Sequence, residues 1–469
     1  GETSRVTLNK ASGAGSLSVT ANESVTLNHN AGQIGVGGVA GIGSSANVVV
    51  GKSTVVAKVD ASSVRVSGAL NVKAEREATA TAGGGGFVGV SGAVGVLVFG
   101  SAPDSNANSE LTGSSSTMGQ IGSVTQANRS QGSGSALTSA ESDSANNSGR
   151  YDTQGAYAGA SGSHRTSATV AATTVTAGSL SVASLDRTSV DNNAGAVALG
   201  GAAGISAGVA ITLLGGANHA GVSVGSLAVA GNIDIHSGNR TPTEGVPAID
   251  SRAISGAGGF VGVGAAVSVA SNTTASTASL AGTSSAGGSV NVQALDQASM
   301  RSEAVGATAG VVSVGVVTAT ATQSGSVATT VSGQHSGTGW TAQAERSATA
   351  AAQATGGSAG VYAGSGAGAS ASDSGSVTLT LASNTVLNAG TGDLSLLAQS
   401  TPSADAYALG VSVGRGAGMG VSVALSEVDT SVQVLANGPL SLSGKNMLVN
   451  AVLGHGDSSV TAKAVAGGG

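Results

Sequence analysis

The chain has 469 residues, of which 77 are glycine, 9% are charged and 2% are aromatic, and it contains no cysteine. This excludes a conventional core of Phe, Tyr, Trp and Leu, a disulfide framework and a thiolate metal site. Eighteen basic and 24 acidic residues give a net charge of −6 with neither sign clustered, which disfavours nucleic acid, since phosphates call for a basic stripe and bases for aromatic platforms.

Along the chain, one kind of short apolar strand recurs: SLSV at 16–19, ALNV at 69–72, SLSV at 179–182, NIDI at 232–235, SVNV at 289–292, GWTA at 339–342, DLSL at 393–396 and NMLV at 446–449. Their first apolar positions lie 53, 110, 53, 57, 50, 54 and 53 residues apart. A beat held over a whole chain marks stacked units that bury their faces on one another. A second strand keeps the same beat, as GFVGVSGAVGV at 86–96, GFVGVGAAVSV at 259–269 and LGVSV at 409–413 running on to GVSV at 420–423. Valine alternating with Gly, Ser or Ala is a period of two, which a helix cannot use. The face of Gly and Ala would let another backbone approach closely, and the stacked valines are expected to be intolerant of charge. A Ser/Thr/Asn-rich segment such as SNTT at 271–274 then leads to a further short strand, ASL at 278–280.

The expected fold is all-β, an elongated β-solenoid (β-helix) of about 53-residue repeats. Repeats are expected over 1–100 and 168–469, the last one truncated in mid-repeat. Two or three coils per unit, as in slender β-helices, and one large coil both fit the spacing. The 110-residue step falls on 101–167, a polar Ser/Asn-rich stretch that reads as an excursion from the stack or as a degenerate repeat. It holds Arg129, Arg150, Tyr151, Tyr157 and Arg165, types enriched at binding hot spots, and these are the candidate binding residues.

The remaining motifs carry little chemistry. GISAG at 204–208 and GGSAG at 356–360 fit G-x-S-x-G but precede no helix, as a nucleophile elbow requires. The six histidines fall at different phases of the repeat and read as solvated loop residues. No calcium-loop pattern occurs, and Asn22, Asn128, Asn146, Asn239 and Asn272 open acceptor sequons. Uncharged stretches at 78–103 and 192–218 are long enough to span a bilayer, but they alternate with period two. The chain opens without a signal-peptide pattern and stops inside a unit, as a fragment of a longer protein would. No catalytic residue, cofactor or metal ligand is predicted, and no enzyme activity.

The order of an apolar strand ending in Ala (289–294), a Gly-rich Val-Gly-Val strand (258–269) and an Asn-Thr-Thr-Ala segment (272–275) resembles large repetitive bacterial exoproteins. The nearest in pattern are the leukotoxin-type filamentous adhesins, relatives of filamentous haemagglutinin exported by two-partner secretion. That resemblance implies a stalk segment secreted to the extracellular face or bacterial cell surface, serving adhesion or biofilm cohesion. Its partners would be host or neighbouring cell surfaces, or matrix polysaccharide, with self-association possible and no membrane span. A self-assembling filament or sheath subunit, and the rod of a toxin-delivering or cytolytic exoprotein, are the alternatives.

Overall fold

The computed structural model describes residues 3–6, 10–13, 15–34, 42–51, 53–87, 89–99, 165–240, 248–454 and 459–469. Among these there is no helix, and every strand pairing is parallel. The eight predicted apolar positions form one unbroken column, Leu17, Leu70, Leu180, Ile233, Val290, Trp340, Leu394 and Met447, each paired with the next. The unit is therefore one large coil, and the two-or-three-coil alternative is ruled out.

Each complete coil has three strand segments, long, return and closing, which residues 179–229 show as separate strands, while in Trp340–Asp373 the long and return segments run on as one. A long strand, Ser179–Leu199, is followed by a glycine turn and a return strand, Ala203–Leu214. Two glycines then lead to a closing strand, Ala217–Val229. Closing strands stack in one sheet, while long and return strands form the other.

Two interiors result. The first half of the long strand packs on the closing strands through branched aliphatics such as Leu180, Val182, Ile233, Val222 and Leu280, all nearly fully buried. The second half packs on the return strands across a layer made largely of alanine, including Ala80, Ala194, Ala253, Ala304, Ala354 and Ala406. Alanine suffices there because the two backbones nearly touch. A Cβ built on Gly208 would lie 2.3 Å from the Ile254 carbonyl oxygen, and one on Gly262 would lie 2.6 Å from that of Ala309.

The close approach expected of the Gly and Ala face is observed, but the expected intolerance of the stacked valines to charge is corrected. The glycine and alanine side of the Val-Gly strand faces inward, and the valines point out: Val263, Val314 and Val316 are 38%, 43% and 52% exposed. The sequence pattern shows two unlike faces, but the close approach of two backbones decides which one is inside.

Steps in the beat have local causes. Asn239 and Ile249 are ten residues apart where their partners Asp186 and Val190 are four apart, so the sequence carries six additional residues between these two paired segments. Over the 110-residue step, the closing strand Thr54–Val66 pairs directly with Arg165–Ala177, and the return strand Val90–Phe99 pairs with Ile205–Leu214. The described strand Arg165–Ala177 begins inside the 101–167 stretch.

Candidate functional site

Of the five candidate binding residues, Arg129, Arg150, Tyr151 and Tyr157 lie outside the described residues. Arg165 opens a closing strand, between Thr54 and Ala217 in the ladder, with its side chain exposed and its guanidinium 3.4 Å from Ser167 Oγ. Two positions along, on the neighbouring strand, stands His219, whose Nδ1 lies 2.8 Å from Thr277 Oγ1. Burial, and then the Arg165 charge, hold the His219 pKa below the usual imidazole value.

The densest chemistry of the described residues is internal and was missed by the motif search. Six residues after the first apolar position of successive coils stand Glu23, Arg76, Asp186, Asn239, Asp296, Arg346 and Ser400, in one paired column. This position has the parity of the core, so the column runs through the molecule between its two interiors. Arg76 is fully buried and is paired with Asp186, to whose Oδ1 its Nε donates at 3.1 Å, while Ser53 donates to Glu23. Asn239 Nδ2 donates to Thr274 Oγ1 at 2.8 Å and to Asp296 Oδ1 at 3.1 Å. Arg346 has its Nη2 2.6 Å from Asp373 Oδ1 and its Nε 3.8 Å from Asp296 Oδ2. Desolvation outweighs the Arg346 charge at Asp296 and pushes its pKa up to about 6.

The signal for this column was its phase. Charged and amide residues return at a fixed offset on the core side of a period-two strand, which only a stacked register can reconcile with burial. A buried charge left unpaired is costly, so a slip of one coil face against its neighbour is penalised by several kcal/mol. The column fixes register. Two acids accompany each arginine, which makes it a poor host for an additional anion. Among the described residues no group of three or more His, Asp or Glu side chains is placed to hold a metal ion.

The reading of the histidines as solvated loop residues is corrected at His29, His219, His236 and His335, which all lie in strands, while His164 and His455 lie outside the described residues. His335 is 2% exposed and packs against the buried Trp340 with ring centroids 5.7 Å apart and the rings tilted by 44°. Its Nε2–H donates to the Ser332 carbonyl at 3.0 Å, and Nδ1 accepts from Ser284 Oγ at 2.8 Å. Burial drives its pKa down to about 4, so it is neutral at physiological pH.

The G-x-S-x-G serines both lie inside strands. Ser206 is buried in a return strand with no hydrogen-bond partner among the described residues, and Ser358 Oγ lies 2.9 Å from Ser412 Oγ. Of the sequon asparagines, Asn272 and Asn239 are buried and Asn22 is exposed. Two concavities among the described residues are shallow glycine-lined hollows, one of them at the turn formed by Leu199, Gly200, Gly258, Gly259 and Gly310, with no charged group in its lining. Among the described residues no helix is long and apolar enough to cross a membrane.

Neither the known family models, nor the curated proteins, nor the solved structures contain a match to this chain.

Proposed function

We propose that this chain is a stalk segment of a secreted bacterial surface exoprotein, of the filamentous haemagglutinin-like kind exported by two-partner secretion, that serves adhesion or biofilm cohesion. The observation that carries the reading is the uninterrupted column of eight long strands stacked in one register. A stack of this kind transmits position along its axis and offers little chemistry along its flanks. Recognition of a cell surface or matrix polysaccharide is assigned to residues 101–167. The two ends of this stretch meet the stack at adjacent strands of a single coil, after Phe99 and at Arg165.

The test is attachment of the purified chain, with and without residues 119–163, to bacterial or host cells and to extracted matrix. Attachment of the parent and its loss in the deletion variant is the expected result. Equal attachment of the two, with both correctly folded, removes the binding role from this stretch.

A further inference from the structure

The outer face of the return strands is almost free of charge. Over Val261–Asn272, Val312–Gln323 and the paired segments 362–373 and 417–428, the outward positions include one charged residue, Glu427. Parallel sheets are normally covered on both faces, and the upstream end of this face follows that rule. Val96, Val209, Ile211, Leu213 and Val269 point away from both interiors and are nevertheless buried. Downstream the same face is open: Val314 and Val316, flanked by paired strands on both sides, are 43% and 52% exposed.

The open part has relief. One coil presents Gly364, Gly366 and Gly368 at the outward positions, paired with Val314, Val316 and Thr318 on one side and with Met419, Val421 and Val423 on the other. This makes a furrow one strand wide with a backbone floor. A Cβ added at Gly364 meets nothing within 4 Å, and one at Gly366 meets Val316 at 3.8 Å.

We propose that this face pairs with the same face of a second copy of the chain, side by side. A two-fold axis parallel to the strands, placed between the valine row and the glycine row, lays each copy's Val314 and Val316 over the other's Gly364 and Gly366. The same operation sets Met419 and Val421 against Val263 and Ala265. The surface is self-complementary in the manner that a two-fold contact requires. Its lack of charge lets two molecules of net charge −6 meet there without repulsion at the centre, whereas that charge opposes adsorption to an anionic membrane. Four strands at about 4.8 Å spacing and six residues each at about 3.3 Å give a footprint of about 400 Å² per copy. That is below the roughly 800 Å² per partner of a standard interface, so the pair is a weak, reversible dimer. The inference is independent of the stalk reading.

The test is sedimentation equilibrium of the full chain from low to high micromolar concentration, alongside Gly366→Val, which fills the furrow, and Val316→Asp, which charges the ridge. Both positions face outward, so melting curves and circular dichroism should match the parent. The expected result is a monomer–dimer equilibrium in the parent whose dissociation constant rises at least tenfold in each variant. A parent that is monomeric throughout, including one that instead floats with neutral phosphatidylcholine vesicles, overturns the proposal. So does a dimer that both variants leave intact, or growth past the dimer that they do not affect, since either places the contact elsewhere.

Discussion

Glycine has opposite meanings at two sites that look alike in sequence. At Gly208 a side chain would start 2.3 Å from a facing carbonyl oxygen, while at Gly364 it would start in open space. Gly208→Val is therefore expected to destabilise by about 3 kcal/mol or more, at or beyond the upper end of overpacking costs, and Gly364→Val to be neutral or slightly stabilising. Thermal melts of the two variants check this. Val263→Asp, which a buried valine face would make ruinous, is expected to cost about 1 kcal/mol or less, as surface changes do, because Val263 is 38% exposed. Two buried titrating groups oppose each other with pH. Asp296 titrates near 6 against an ordinary 3.8, so the folded state holds the additional proton, and this group adds stability as pH falls from about 7 to 4. His335 titrates near 4 against 6.5, so the unfolded state takes up the proton first, and this group removes stability over nearly the same window. Each is worth up to about 3 kcal/mol by linkage. His335→Gln should therefore leave a protein that gains stability on acidification from pH 7 to 4.5, and Asp296→Asn one that loses it. Denaturation midpoints that shift identically with pH in the two variants would refute the pairing of these groups as opponents.

At the scale of the strand, the repeat was legible because like strands stack on like, so positions 53 residues apart face the same neighbours. The equivalence of the positions from Leu17 to Met447 follows from spacing, but their direct pairing does not, since the spacing left the number of coils per unit open. The direction of the valines was not legible, since alternation defines two faces and the choice between them rests on the fit of the return strand against the long strand. The charged column was legible in principle from its fixed phase, but a search for motifs local in sequence passes over partners such as Arg76 and Asp186, which are 110 residues apart. Removing one member should be far worse than removing the set. Arg346→Met strands Asp296 and Asp373 in the interior and is expected to cost about 3–5 kcal/mol, whereas Arg346→Met with Asp296→Leu and Asp373→Leu is expected to be near neutral. A triple variant as unstable as the single one would show that the ions contribute more than mutual compensation.

At the scale of the whole molecule, the large coil inverts the usual proportions of a solenoid. Successive coils add about 4.8 Å each, so eight span about 40 Å, while a 21-residue long strand at about 3.3 Å per residue reaches about 70 Å across the axis. The described stack is thus wider than it is tall, and length along the axis is gained slowly, at one strand spacing for some 53 residues. Such a body resists bending because each coil is held to the next along three strands. A slender β-helix, with two or three coils per unit, would instead run to roughly 100 Å with a thin, constant cross-section. Small-angle scattering separates these shapes. At low concentration, with residues 119–163 deleted to isolate the stack, a longest dimension of about 70–80 Å and a plate-like distance distribution are expected. A linear, rod-like distribution extending to 100 Å or more would mean that the 53-residue unit closes more than one coil, and the register that aligns Leu17 with Met447 would have to be abandoned.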